Sequence, residues 1–163
     1  MSVPESTLSA NGPRTISEAG WAAELTEILV DAGPLIAGFD DTDVWHDECS
    51  RLLETLPGPL IVPATIIAEV CYMITRYRFG SAAEAAFLRS FAEGDLVVGN
   101  LVQGDFERMA QLVEQYDNFP LGGSDASVIA IAERRSITTI LTTDRRHFAA
   151  VRPKHVEAFD LLP

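Results

Sequence analysis

Residues 122–144, GGSDASVIAIAERRSITTILTTD, carry the pattern that decides the fold. Ser124 stands where a helix N-cap is expected, and an apolar stripe at helical spacing begins at Val128. A short apolar strand, TTILT, is predicted next at residues 138–142, and Asp144 follows soon after its end. A helix that leads into a short apolar strand is typical of proteins in which helices cover a parallel sheet.

The same alternation of apolar runs and amphipathic stretches extends along the chain from this segment. Pro63 is expected in the first turn of one helix, where its missing N–H costs nothing, and Ser81-Ala-Ala-Glu84 is expected to form a capping box at the start of another. We predict strands at residues 28–30, 60–62, 96–98, 138–142 and 156–162. The predicted fold class is α/β, a three-layer α/β/α sandwich with a mainly parallel central sheet.

Length and composition favour one domain. The 163 residues, 47% of them hydrophobic and 22% charged, are enough to build one core. We assign the domain to residues 27–163 and interpret residues 1–26, rich in Ser, Thr, Gly and Pro, as a loose leader with a short helix near Trp21 and Leu25. No basic start with an apolar stretch marks a secretory signal, and no apolar run approaches the roughly 20 residues of a membrane span. The cytoplasm is the expected compartment.

Charge and cysteine content narrow the function. The net charge of −12 argues against a general nucleic-acid coat, because such binding depends on Lys and Arg that replace counterions. Any contact with nucleic acid must then be local. Cys49 and Cys71 have no second cysteine or histidine at a metal-ligand spacing, so we expect small buried thiols rather than ligands or a disulfide.

Four carboxylates occupy positions that suit a catalytic site. Asp31 and Asp144 each follow a predicted strand, and ligands bind at the carboxyl ends of strands in parallel sheets. Glu69 flanks the apolar face of its helix with no Lys or Arg one turn away. Asp125 lies in a first helical turn, above the apolar stripe that faces the core. A doubly wound sheet can bring all four to one edge.

Each acid also has a structural alternative. Asp31 could prepare the turn that follows it, and Glu69 could extend to solvent. Asp125 and Asp144 could stabilise helix starts, where the helix dipole favours an acid by roughly 0.3 to 1 kcal/mol. Asp117, beside Asn and near Pro, is typical of turn chemistry and is a weaker candidate.

Several carboxylates in one place need a cation. Two carboxylates roughly 4 Å apart repel by about 4 kcal/mol at an effective dielectric of about 20. Oxygen ligands without a supporting His or Cys suit Mg²⁺ or Mn²⁺, which keep several waters and bridge to phosphate oxygens. The pattern therefore predicts attack of a metal-activated water on a phosphodiester.

Three ordered segments resemble the PIN-domain ribonuclease toxins of the VapC group: ILVDAGPLIA (28–37), PATIIAEVCYMI (63–74) and YDNFPLGGSDASVIAIAERRSITTILTTDRRHFAAVRP (116–153). The resemblance covers residues 28–163, and its most specific part is the order of acid, helix, strand, acid and basic RRHF tail. It implies a metal-dependent endoribonuclease with Mg²⁺ or Mn²⁺. The metal ligands and catalytic residues that it implies are Asp31, Glu69, Asp125 and Asp144.

The resemblance implies further site residues and partners. An acid near Asp117 and a hydroxyl near Thr142 or Thr143 would complete the site. A homodimer and a small antitoxin that inserts a basic side chain into the acidic pocket are also implied, and guanidinium pairs well with carboxylates. We expect RNA contacts on the basic cluster that follows Asp144, with solvated surface charge as the alternative. This cluster consists of Arg145, Arg146, His147, Arg152 and Lys154.

Two other functions are weighed against this one. A receiver or haloacid-dehalogenase-type phosphotransfer domain places acids at the same strand ends, but it needs a nearby Lys, and the single Lys of the chain is Lys154, beyond the fourth predicted strand. Haloacid dehalogenases also need a D-x-D motif after the first strand, and in this chain Gly33 replaces the second Asp of that motif. A PIN scaffold that binds without turnover is the non-enzyme alternative, and the presence of all four acids argues against it.

Overall fold

A parallel sheet covered by helices makes up the computed structural model, which describes residues 26–119 and 121–163. Within these residues the strands are β1 (Ile28–Val30), β2 (Leu60–Pro63), β3 (Val97–Gly99), β4 (Thr139–Leu141) and β5 (Asp160–Leu162). The helices are α1 (Ala32–Ala37), α2 (His46–Thr55), α3 (Ala64–Arg76), α4 (Ser81–Glu93), α5 (Gln103–Gln115), α6 (Gly123–Arg135) and α7 (Arg145–Ala150). The predicted α/β/α class with a parallel sheet is confirmed.

The strand order determines where a ligand can bind. It is β3-β2-β1-β4-β5, and every neighbouring pair is parallel. The connection after β1 leads to β2 on one side, whereas β4 joins β1 on the other side. A crevice opens outside the carboxyl ends of the strands at such a reversal of strand order. Asp31, directly after β1, and residues 142–144, directly after β4, therefore face the predicted ligand crevice.

The central strands form the core of the molecule. Leu29 and Val30 of β1 are fully inaccessible, and so are Ile61 of β2 and Ile140 of β4. Parallel sheets are covered on both faces, so their central strands need continuous apolar runs rather than alternation. This requirement explains why the short runs ILV, LIV and TIL identify the strands in the sequence.

Helix α6 is more buried than its sequence predicted. Every residue from Ala126 to Ala132 is buried, not only the predicted apolar stripe. The reason is α5, which lies against α6 and covers the face that would otherwise meet water. Arg108 of α5 forms two hydrogen bonds of 2.7 and 2.9 Å with Glu133 near the end of α6. The helix is thus fixed between the sheet and α5, and its first turn has a defined position.

Some predicted helix starts are wrong. Pro63 does not enter the first turn of α3: it is the last residue of β2, where it pairs with Gly99, and it precedes the helix. The capping box at Ser81 does not form, because Ser81 already belongs to α4 and the N-cap is Gly80. Gly80 has a φ of 89°, a left-handed value that glycine adopts without strain.

Four of the five strands also differ from their predicted bounds; β2 is one residue longer at its end, and β4 is one residue shorter at each end. The strand β3 begins one residue later than expected, because Leu96 turns into the core before the ladder with β2 starts. The strand predicted at residues 156–162 is limited to β5. The segment before it bends, and the ring Nε2 of His155 lies 2.7 Å from the carbonyl oxygen of Ile137. That contact holds the bend against the end of α6.

Three further expectations concern the leader, the thiols and the membrane. The predicted leader, residues 1–26, lies outside the described residues except for Thr26, as does the helix expected near Trp21 and Leu25. Both cysteines are free; Cys49 is fully buried and Cys71 half-buried. Among the helices that the structure describes, none combines the length and apolarity of a membrane span.

Candidate active site

Asp31 is anchored by two hydrogen bonds at the end of β1. One carboxylate oxygen accepts from the Ala32 N–H at 2.7 Å, and the other accepts from the Thr142 hydroxyl at 2.8 Å. The residue is 8% exposed, and burial raises its pKa from 3.8 to about 6 although both hydrogen bonds act in the opposite direction. The negative charges of Asp125 and Glu69 raise it further. Asp31 is therefore not the solvated turn residue of the structural alternative.

The two threonines after β4 connect Asp31 to Asp144. Thr142 is fully buried, donates its hydroxyl to Asp31 and accepts the Asp144 N–H at 3.1 Å. Thr143 lies in the wall of the same pocket. A Cβ at Gly33 would come within 2.1 Å of the Thr143 hydroxyl. Only glycine therefore allows the first turn of α1 to lie this close to Thr143.

Asp125 combines a structural role with a position in the pocket. The helix α6 begins at Gly123 with Gly122 as its N-cap, not at Ser124 as the sequence suggested. The Gly122 N–H donates to the Asp125 carboxylate at 3.2 Å, so Asp125 does stabilise the start of α6. This structural role does not exclude a role in the pocket. The same carboxylate oxygen lies 3.2 Å from Nδ1 of His147. Burial raises the pKa of Asp125, and the charges of Glu69 and Asp144 add to that effect.

Asp144 precedes α7 without capping it. No side-chain hydrogen bond from Asp144 reaches the helix start, so the capping alternative fails here. Its Oδ1 atom is buried and has no hydrogen-bond partner within the described ranges. The Arg146 guanidinium lies near it, but its Nε is 3.8 Å from that oxygen, too far for a hydrogen bond. One oxygen of Asp144 is thus available to a ligand.

Glu69 of α3 completes the acidic set. It is half-buried, and together with Met73 it lines the same pocket as the three aspartates. Because the three carboxylates line one pocket, the charge of Glu69 contributes to the raised pKa of both Asp31 and Asp125. The alternative in which Glu69 extends freely to solvent does not describe its position.

The pocket has a volume of about 380 Å³ and gathers the four predicted acids from four parts of the chain. It is lined by Asp31, Ala32, Gly33, Glu69, Met73, Gly122, Gly123, Ser124, Asp125, Thr143, Asp144 and His147. In the part of the chain that the structure describes, no three acid, histidine or cysteine side chains are already grouped as tightly as the ligands of one ion. Binding an ion would therefore require the carboxylates on the walls to turn toward it.

His147 is the residue of this pocket that the sequence analysis misplaced. It was expected in the basic cluster that contacts RNA, whereas its ring lines the acidic pocket. Its Nδ1 is 3.6 Å from Asp144 as well as 3.2 Å from Asp125. The spacing of three residues from Asp144 was the available signal, because residues three apart share one face of a helix.

Other predicted site residues lie elsewhere. Asp117 is exposed in a turn, accepts a hydrogen bond of 2.6 Å from Asn118 and does not line the pocket. Arg145 donates to the carbonyl oxygens of Leu161 and Pro163, so it fixes the C-terminal strand. Arg146 is 88% exposed, and Arg152 and Lys154 are exposed as well.

Fold and site together define a nuclease-like α/β domain with an acidic pocket at the strand ends, and sequence comparison gives its family. The PIN-domain family model matches residues 28–153, and the chain belongs to that family. Ribonuclease VapC26 of Mycobacterium tuberculosis is 33% identical to it over 136 residues, which cover 83% of this chain and 100% of that protein.

Solved structures share the fold. The crystal structure of Mycobacterium tuberculosis VapC20, a sarcin-ricin loop cleaving toxin, gives a TM-score of 0.69 at 20% identity and covers 80% of this chain and 98% of its own. A toxin-antitoxin complex from Klebsiella pneumoniae gives a TM-score of 0.59 at 22% identity, with coverages of 79% and 99%. At these identities the likeness concerns the fold alone.

Proposed function

We propose that this chain is a metal-dependent endoribonuclease and the toxin of a toxin–antitoxin pair. The observation that carries the proposal is the convergence of Asp31, Glu69, Asp125 and Asp144 on one pocket in a PIN-domain chain. The relative VapC26 is named a ribonuclease, and the structural neighbour VapC20 cleaves the sarcin-ricin loop. The proposed reaction is hydrolysis of a phosphodiester bond in RNA.

The chemistry of the pocket fits Mg²⁺ or Mn²⁺ as the cofactor. All four proposed ligands are carboxylates, the oxygen donors that these ions prefer. Burial and mutual repulsion raise the pKa of Asp31 and of Asp125, so their charged forms need a compensating positive charge. The partnerless oxygen of Asp144 also suits a cation. When bound, the metal would polarise the scissile phosphate and activate a water molecule.

The protein's own contribution is to position these acids. Asp31 is held by Thr142 and by the Ala32 N–H, and Asp125 is held by the Gly122 N–H, so both point in fixed directions. Glu69 and Asp144 contribute less constrained side chains that can turn toward an ion. The two fixed acids need little reorganisation during the reaction, which is how preorganised charges accelerate phosphoryl chemistry.

The RNA backbone is proposed to cross the exposed side of α7. The Arg146 side chain is almost fully exposed, and its guanidinium Nε lies 3.8 Å from Asp144. Arg146 can therefore hold a phosphate next to the acids. Arg152 is a second exposed cation after the same helix. The net charge of −12 leaves such local cations as the means of attracting RNA.

We also propose a homodimer, an antitoxin partner and a cytoplasmic location. The structural neighbour from Klebsiella pneumoniae is a toxin-antitoxin complex, which supports a partner of that kind. An acidic pocket is the natural counterpart of an Arg-bearing peptide, because guanidinium forms paired hydrogen bonds with carboxylates. The cytoplasm is where cellular RNA would meet the enzyme.

Two alternatives have distinct signatures. A PIN scaffold without turnover would bind the metal and RNA but cut nothing. A phosphotransfer domain would need Lys154 near an acid, whereas Lys154 lies outside the pocket and its backbone N–H donates to Glu133 at 3.0 Å. Of the two alternatives, the non-cleaving scaffold is therefore the second candidate, because it would use the same pocket residues as the nuclease.

Labelled RNA incubated with the purified full chain, with Mg²⁺, Mn²⁺ or a chelator, tests the proposal. Cleavage should require metal, and the amide variants of the four acids should abolish it while the fold is retained. Asp117→Asn is the matched control, because it removes a carboxylate that does not line the pocket. Near wild-type cleavage in two or more of the amide variants would contradict the site, and metal binding without cleavage would favour the scaffold.

A further inference from the structure

His147 has a place in the pocket that the four carboxylates do not explain. Its imidazole is mostly buried, with 21% of the side chain exposed, and it packs edge-on against Phe119 at a centroid distance of 5.3 Å. This packing fixes the ring so that Nδ1 faces Asp125 and Asp144. A neutral imidazole nitrogen without a proton carries a lone pair that can bind a metal.

The other two histidines of the chain differ in what they contact. His46 places its Nδ1 2.7 Å from the Ala37 carbonyl oxygen, and His155 places its Nε2 2.7 Å from the Ile137 carbonyl oxygen. These are backbone contacts that hold loops in place. Of the three histidines, His147 is the one whose ring nitrogen faces carboxylates.

The distances around Nδ1 are slightly longer than those between neighbouring ligands of one ion. With metal–ligand bonds of about 2.1 Å, adjacent donors of an octahedron lie about 3.0 Å apart, because the edge is about 1.4 times the bond length. The distance to Asp125 is 3.2 Å and the distance to Asp144 is 3.6 Å. The second distance is too long for a hydrogen bond, so hydrogen bonding alone does not account for the arrangement. A turn of the Asp144 side chain toward Nδ1 would shorten the second distance to the spacing of adjacent donors.

We propose that Nδ1 of His147 is a ligand of the metal held by Asp125 and Asp144, and that it makes the site select Mn²⁺ over Mg²⁺. The inference rests on the proposed function, because it concerns the same ion. Imidazole suits transition metals, whereas Mg²⁺ takes oxygen ligands almost exclusively. One nitrogen among the carboxylates therefore changes which of the two ions binds more tightly.

The direct test is pulsed electron paramagnetic resonance of the full chain loaded with Mn²⁺. A nitrogen bound to Mn²⁺ produces a ¹⁴N modulation of the electron spin echo, and this readout does not depend on activity. Calorimetric titrations with Mn²⁺ and with Mg²⁺ then measure the selectivity. The measurements are made at about pH 8, where an ordinary imidazole is neutral.

Two variants separate binding from positioning. His147→Phe keeps an aromatic ring against Phe119 but has no nitrogen. His147→Asn places an amide N–H near the position of Nδ1, so it can keep a hydrogen bond to Asp125 but offers no imidazole nitrogen. His155→Gln is the matched control, since its amide can replace the ring nitrogen that faces the Ile137 carbonyl. Circular dichroism verifies that each variant is folded.

The proposal expects a ¹⁴N modulation in wild type and in His155→Gln, and its loss in both His147 variants. Affinity for Mn²⁺ should fall at least roughly 10- to 100-fold in those variants, the loss that removal of an outer-shell partner already causes, whereas affinity for Mg²⁺ should change much less. Absence of the modulation in Mn²⁺-loaded wild type overturns the proposal even if no variant folds. Rescue of Mn²⁺ affinity by Asn, or equal losses for both ions, overturns it too. If wild type binds neither ion, the proposed function fails with it.

Discussion

Replacing Asp31 by Asn should change the stability of the metal-free protein in a way that depends on pH. Burial raises the pKa of Asp31 from 3.8 to about 6. Between these values the folded protein keeps a proton that the unfolded chain has lost, so stability falls as the pH rises through this window. Above about pH 6 the folded state carries the full cost of a buried charged carboxylate.

The size of this effect follows from the two pKa values. The difference between 3.8 and about 6, at about 1.36 kcal/mol per pH unit, gives about 3 kcal/mol. Asn removes the charge but has one acceptor oxygen fewer, so it cannot accept from both Thr142 and the Ala32 N–H. The lost hydrogen bond costs about 1 to 3 kcal/mol at every pH. Asp31→Asn should thus be less stable than wild type near pH 4 and equally or more stable above pH 7.

Urea unfolding in the presence of a chelator, from about pH 4 to about pH 8, measures this difference. Asp117→Asn serves as the control, because Asp117 is exposed and outside the pocket, and its stability difference should stay flat. The reasoning is refuted if the difference between wild type and Asp31→Asn is the same at every pH. A difference that moves in the opposite direction would mean that Asp31 is stabilised as a carboxylate.

Mn²⁺ at about a hundredfold excess over its dissociation constant should stabilise wild type by about 2.7 kcal/mol in melting experiments. Asp125→Asn should lose most of that gain, and equal shifts of the melting temperature in both proteins would remove Asp125 from the site. Gly33→Ala puts a methyl group within 2.1 Å of a threonine hydroxyl and should cost about 1 to 2 kcal/mol in urea unfolding. Gly104→Ala, which has open space, should instead gain about 0.4 to 1 kcal/mol, and the same change at both sites would contradict the close approach. In RNA-binding titrations Arg146→Ala should reduce the salt slope by about 0.7, whereas Arg145→Ala should leave the slope unchanged and lower stability.

The convergence of the acids was predictable because it depends on topology rather than on detail. Parallel strands end at the same edge of a sheet, so Asp31 after β1 and Asp144 after β4 had to lie near each other once both strands were assigned. Asp125 follows because the helix before β4 starts at that edge. Even a two-residue error in the N-cap of α6 left the Asp125 side chain in the pocket.

The parts that could not be predicted depend on local directions. The side chain of His147 enters the pocket because α7 turns one face inward; its spacing of three residues from Asp144 is compatible with that rotation, but the run RRHF does not determine it. Arg145, next to it, points to the C-terminal strand for the same reason. The position of Asp117 depends on the path of a loop, and loops are the least regular part of a fold.

The hydrogen bond between Thr142 and Asp31 joins residues that are 111 positions apart. A ribosome adds about 5 to 20 residues per second, so the first of these residues is made about 5 to 20 s before its partner. During that interval β1 lacks β4, one of its two neighbours in the sheet, and Asp144 does not yet exist. A growing chain therefore has no complete pocket until Asp144 has been added. The proposed nuclease activity can begin only after that point of synthesis.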